Sequence, residues 1–146
     1  MSTAMPTAIS YDEVEVGQEL PAGVFPVRRA TLVQYAGASG DFNPIHWNER
    51  FAKAVGLPDV IAHGMFTMAE AIRVVTDWLG DPGAVVEYGV RFTKPVVVPD
   101  DETGATIEVT AKIAAKLDDR RARVDLTAVS AGQKVLGMSR AVVQLA

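Results

Sequence analysis

Between Ser39 and His46 the chain reads Ser-Gly-Asp-Phe-Asn-Pro-Ile-His, which sets a carboxylate and an imidazole five residues apart. On a straight helix Asp41 and His46 would diverge. Gly40 and Pro44 break regular structure, however, and a proline turn between the two residues can fold both toward one point. A carboxylate and an imidazole that converge can hold a water and exchange a proton with it, because imidazole accepts or donates near neutral pH. Asn43 lies between them, placed to cap the turn or to help orient the site. The same residue types also serve as plain capping devices, Asp before a turn and Asn-Pro at a helix start. Spacing alone leaves both readings open.

A second feature bears on the choice. His63-Gly64-Met65 stands where a long apolar helix is expected to begin, so the first backbone N–H groups there are unpaired and electropositive. The N–H of Gly64, with no side chain in the way, suits a developing oxyanion. Adding or removing water beside a thioester carbonyl builds negative charge on that oxygen. A glycine here also permits a tight turn, and His63 reads more simply as a residue that anchors that turn.

The elements that must position these residues fall into two halves. Residues 11–29 hold turns (Val16-Gly17, Pro21-Ala22-Gly23) and a short strand around Val24 to Arg28. Thr31 and Gln34 have the spacing of a capping box, which predicts a short helix ending near Ala38 with Ser39-Gly40 as its stop. Asn48 to Val55 reads as another short helix, with Asn48 as N-cap and Gly56 as stop. Met65 to Leu79 carries the strongest helical signal, with apolar residues at Met65, Met68, Ile72, Val75 and Leu79, a face widened by Phe66, Ala69, Ala71, Val74 and Trp78, and only a narrow polar stripe of Glu70, Arg73 and Asp77. Such a helix must be largely wrapped by protein. The second half switches to period two. Val86, Tyr88, Val90 and Phe92 form one alternating run, Ile107 to Ile113 a second, and Ala122 to Ala128 a third. A last, less regular strand covers roughly Lys134 to Leu145. Leu117 to Arg120 and Ala131-Gly132 suit hairpins, and Pro99 to Gly104 a longer loop. One-faced strands need a cover, and the one element apolar enough is the 65–79 helix. The expected fold is α+β: a curved antiparallel sheet wrapped around one long central helix. Its free edges make dimerisation through the sheet a reasonable expectation.

Composition narrows the function classes. The chain has 146 residues, 49% of them apolar, which fits one globular domain. Residues 1–10 lack the features of a signal peptide and read as a flexible tail, leaving 11–146 as a single domain. No cysteine is present, so disulfides, thiolate metal sites and a cysteine nucleophile are excluded, and a reducing cytoplasm fits. Two histidines make a multi-histidine zinc site an unlikely fit. A net charge of -4 argues against a general nucleic-acid partner. No stretch reaches the length of a membrane span.

Tyr35 to His46, followed after five further residues by Ala52, resembles the hydratase-2 signature of MaoC-like hot-dog proteins. Ile61-Ala62-His63-Gly64-Met65 resembles that family's second characteristic stretch, which opens its central helix. The resemblance implies a hot-dog fold and reversible syn hydration of trans-2-enoyl thioesters to (3R)-3-hydroxyacyl thioesters, with no cofactor or metal. Asp41 and His46 would share the catalytic water, with Asn43 beside them, and the Gly64 N–H would bind the thioester oxygen. Within the family, Gly80 to Val85 and Glu87 to Thr93 are similar to the catalytic B subunits of actinobacterial (3R)-hydroxyacyl-ACP dehydratases, which serve type II elongation of the mycolic acid kind. That likeness implies acyl-ACP as substrate and a heterodimer with a hot-dog partner lacking the catalytic residues. A homodimeric R-specific hydratase acting on acyl-CoA is the alternative.

The acyl chain is expected to pass Met65, Phe66, Tyr88 and Phe92, since methionine and aromatic residues suit an adaptable apolar channel. Core packing is the plainer reading of the same residues. Arg28, Arg29, Lys94, Arg120, Arg121, Arg123 and Arg140 are candidates for a phosphopantetheine or an acidic carrier protein. Two rival readings remain: a hot-dog thioesterase using Glu70, and a non-catalytic acyl-binding partner subunit.

Overall fold

The alternating runs of the second half form the antiparallel sheet that they predict. In the computed structural model, which describes residues 8–146, the strands are β1 (Gly23–Val27), β2 (Val85–Phe92), β3 (Ala105–Leu117), β4 (Arg121–Ser130), β5 (Gln133–Lys134) and β6 (Leu136–Gln144). Their order across the sheet is β1-β3-β4-β6-β2, with the short β5 paired to β4. Ile107, Val109, Ala111 and Ile113 of β3 and Ala122, Val124, Leu126 and Ala128 of β4 are all buried on the inner face. They are covered by a long helix, α3 (Gly64–Leu79), which touches β1, β2, β3 and β4. Two shorter helices, α1 (Arg29–Ser39) and α2 (Glu49–Ala54), lie between β1 and α3 in sequence. This is the expected curved sheet around one central helix.

Several local expectations shift. The helix α1 starts at Arg29, and Thr31 caps it from inside: its Oγ1 accepts the Arg28 N–H at 3.1 Å. Gln34 has no part in that cap. The core face of α3 is Phe66, Thr67, Ala71, Val74, Val75 and Leu79, turned away from Met65, which is 58% exposed. The strand β2 is interrupted by two register shifts, between Val85 and Glu87 and between Gly89 and Arg91, so strict alternation fails there and Val86 and Phe92 end up exposed. The expected last strand is split into β5 and β6. Of the expected tail, residues 1–7 lie outside the described residues. Ile9 packs against the core, and its carbonyl accepts the Ala146 N–H at 3.0 Å. No helix among the described residues is long and apolar enough to cross a membrane.

Candidate active site

Helix α1 ends at Gly40, whose left-handed backbone (φ 76°) turns the chain sharply while its N–H donates to the Ala36 carbonyl. The residues that follow are held by a relay of side-chain acceptors. Ser39 Oγ accepts the Asp41 N–H at 3.2 Å, Asp41 Oδ1 accepts the Asn43 N–H at 3.1 Å, and Asn43 Oδ1 accepts the Ile45 N–H at 3.2 Å. Pro44–His46 then forms a single tight helical turn capped by Asn43. The Trp47 indole N–H closes the loop by donating to the Phe42 carbonyl at 2.9 Å. The loop is therefore built from local polar bonds, and it uses one oxygen of Asp41 and the oxygen of Asn43. Asn43 holds the turn through that oxygen.

His46 is fixed by a second segment. Residues 60–62 run between the octet and residues 96–98: Val98 N–H donates to Val60 O at 3.0 Å, Ala62 N–H to Val96 O at 2.9 Å, and Ile61 N–H to Ile45 O at 3.1 Å. An ion pair at 2.5 Å between Arg29, at the start of α1, and Asp59 ties this segment down, with the Arg29 Nε–H also donating to the Val98 carbonyl. The Ile61 carbonyl lies 2.6 Å from Nδ1 of His46. A carbonyl can only accept, so Nδ1 carries the proton of the neutral ring and Nε2 keeps its lone pair. That lone pair lies 4.0 Å from Oδ2 of Asp41. The gap is too long for a direct bond, but one oxygen of a water or substrate hydroxyl can reach both groups. The His46 ring is 7% exposed, whereas the Asp41 side chain is 54% exposed. Burial holds His46 below its ordinary value of 6.5; the bond to the Ile61 carbonyl opposes that, the His63 ring adds to it, and the Asp41 charge opposes it. His46 is accordingly a neutral base at pH 7.

His46 and Gly64 share a cavity of about 380 Å³, whose wall also includes Thr67, Phe92, Lys94 and Val96. Gly64 is the first residue of α3, and among the described residues its N–H finds no acceptor. A Cβ at this position would lie 3.0 to 3.2 Å from the Phe92 ring, so glycine lets that ring lie close over the helix start. Of the four residues expected along the acyl path, Phe92 alone borders this cavity. Phe66 is in the core against the Tyr35 ring, and Met65 faces outward. The Tyr88 hydroxyl donates to the Met68 carbonyl at 2.7 Å, and its strand face lines a separate groove with Arg123 and Arg140. Burial pushes the Tyr88 phenol up to about 12, which keeps it protonated.

The basic candidates separate in the same way. Arg29 pairs with Asp59, Arg120 with Asp12 and Arg123 with Asp125, while Arg121 donates to Gln144. Lys94 is the member of the group that stands in the cavity wall.

Spacing missed how closely His63 belongs to this site. Its ring is 2% exposed and stacks on His46 with centroids 3.7 Å apart at 22°. Nothing in the octet signals this, because the contact depends on how residues 60–62 cross the loop. Asp41, His46 and His63 bring one ligand-type atom each within 4.8 Å of one another. They do not fit a shared metal: two ring planes inclined at only 22° meet far beyond the rings, so no ion at a bonding distance of about 2 Å lies in both.

Comparison with known proteins finds one family. The profile of the family described as "MaoC like domain" matches residues 13–130. The chain is 46% identical over 79 residues to the 3-hydroxyacyl-thioester dehydratase X of Mycobacterium tuberculosis, an alignment covering 54% of this chain and 27% of that protein. It is 32% identical over 121 residues to the 3-hydroxybutyryl-CoA dehydratase of Methylorubrum extorquens, covering 82% of this chain and 73% of the relative. A solved MaoC-like dehydratase superposes with a TM-score of 0.91 at 44% identity, over 95% of this chain and 43% of that one. The chain thus spans less than half of the mycobacterial relative and of this solved structure.

Proposed function

Because this chain belongs to the MaoC-like domain family, we propose that it interconverts (3R)-3-hydroxyacyl and trans-2-enoyl thioesters by syn removal or addition of water. One observation carries the reading. The lone pair of a neutral His46 and the Gly64 N–H, which has no acceptor among the described residues, border a single cavity, and Oδ2 of Asp41 lies 4.0 Å from that lone pair; the reaction needs a base, an acceptor for water and an oxyanion donor.

In the dehydration direction the C2–H bond breaks and its proton passes to Nε2 of His46. The electron pair moves toward the thioester oxygen, where the Gly64 N–H stabilises the enolate-like charge. The C2=C3 bond then forms as the C3–O bond breaks, and the departing hydroxyl takes the proton back from His46 to leave as water held by Asp41. One face of the substrate meets both groups, so the elimination is syn. Hydration is the reverse. Asp41→Asn and His46→Gln are each expected to lower kcat for a trans-2-butenoyl thioester by about 10²–10⁴-fold, while the melting curve stays cooperative. Turnover near the unsubstituted level in either folded variant would end the assignment.

The thioester handle is either coenzyme A or an acyl carrier protein, and Lys94 at the cavity wall supplies positive charge for its phosphate. The protein works in the cytoplasm as a pair of hot-dog units, the second being another copy or a related partner. The thioesterase reading loses ground because Glu70 is engaged with Arg73 at 3.2 Å and stands outside the cavity wall.

A further inference from the structure

The least expected group near the site is a nitrogen with nothing to do. His63 Nε2 lies 3.0 Å from the Asp41 carbonyl, so in the neutral ring Nε2 carries the proton and donates it there. That leaves Nδ1 as an acceptor, buried and without a partner among the described residues. Burying an unpaired acceptor costs about 1–3 kcal/mol, and an apolar ring of similar size would avoid the cost. The contacts of His63 show what offsets it. One edge holds the backbone of Asp41, one face lies under His46, and the Tyr35 ring from α1 meets it edge-on at 4.7 Å. The next residue along the chain is Gly64, so the same residue fixes where the oxyanion donor begins.

We propose that His63 is a positioning residue that sets the Asp41–His46 gap and the Gly64 N–H as one rigid unit, acting through its bond to the Asp41 carbonyl and its stack beneath the His46 ring. This rests on the hydratase reading for its effect on turnover, but its geometry can be measured without any turnover. The charged or titratable groups facing His46 are Asp41 from the loop, His63 at the head of α3 and Lys94 from the cavity wall.

Two side-chain replacements separate the contacts. His63→Gln keeps an N–H that reaches toward the Asp41 carbonyl and removes the ring; His63→Phe keeps a ring under His46 and removes the N–H. A misplacement of about 1 Å costs on the order of 10²-fold in rate. His63→Phe is therefore expected to lower kcat on that order, His63→Gln by less, both with KM nearly unchanged. A merely structural residue would lower the melting temperature and leave kcat of the folded fraction where it was; that outcome overturns the proposal.

The unsubstituted protein provides a test that needs no variant to fold. It has two histidines, so nitrogen-15 NMR of the imidazoles resolves both directly. Opposite neutral tautomers are expected, Nδ1–H on His46 and Nε2–H on His63. An Nδ1–H tautomer on His63 would overturn the proposal by itself. Failure of the unsubstituted protein to hydrate any enoyl thioester would instead count against the reaction, and leave the tautomers to be read on their own.

Discussion

At the scale of residues, the site sets a base whose protonation limits it. Burial is the largest influence on His46 and holds it below 6.5, so the folded ring gives up its proton more readily than the unfolded one. Activity that needs the free Nε2 lone pair is then expected to persist below pH 6.5 and to fall on an acid limb whose midpoint lies under that value. Stability follows the same sign. Above pH 6.5 neither state binds the proton and the native ring carries no penalty. As pH falls through 6.5 the unfolded chain binds a proton that the native ring resists, and stability drops. A pH series of kcat/KM and of melting temperature checks both, and His46→Gln should flatten the second. An activity midpoint at or above 6.5 would contradict the account. The octet was legible in the sequence because its geometry is local: Gly40, Asp41, Asn43 and Pro44 shape the loop with bonds no longer than a turn. His63 was not, because its position beneath His46 is set by a segment that arrives from between two others.

At the scale of elements, the same distinction between local and distant causes separates what could be read from what could not. Strands β3 and β4 matched their alternation because both are interior to the sheet and have one face under α3. Strand β2 did not, because it is an edge with two bulges and nothing beyond it to enforce a register. On α3 the apolar face was legible through Phe66, Ala71, Val74, Val75 and Leu79, but a face so wide does not say which of its residues the sheet leaves out, and Met65 is one of them. Turn chemistry offers a direct test of the local part. Between β4 and β5 the two-residue loop Ala131-Gly132 has φ of 50° and 74°, the left-handed pair of a type I′ hairpin. An alanine in that region costs roughly 1–2 kcal/mol, and asparagine tolerates it far better. Ala131 is exposed and distant in sequence from the octet. Ala131→Asn is therefore expected to stabilise the protein by about 1 kcal/mol, raising the melting temperature by about 3–5 °C at unchanged kcat. An unchanged or lower melting temperature would show that the turn is not strained.

At the scale of the molecule, the sheet's two edges are not equivalent. The β1 edge is five residues long and contains Pro26, which has no N–H to offer a neighbouring strand. The β2 edge is eight residues long and carries Val86 and Phe92, 41% and 55% exposed. Phe92 is also the ring that covers Gly64, so whatever packs on this edge packs on the wall of the active cavity. An unprotected edge with apolar side chains is a liability unless a second unit covers it. The expected species in solution is thus an assembly of about twice the 15.6 kDa chain mass, formed across β2. Val86 lies outside the cavity wall, and Val86→Glu sets a charge on the edge without touching His46, Asp41 or Gly64. Light scattering should show the variant shifting to single chains at micromolar concentration, with its melting curve still cooperative. Its turnover should fall and recover as protein concentration is raised, because the cavity loses its outer support when the edge is bare. A Val86→Glu variant that stays paired and fully active would place the interface elsewhere, and one that is monomeric yet fully active would show that a single unit suffices for the chemistry.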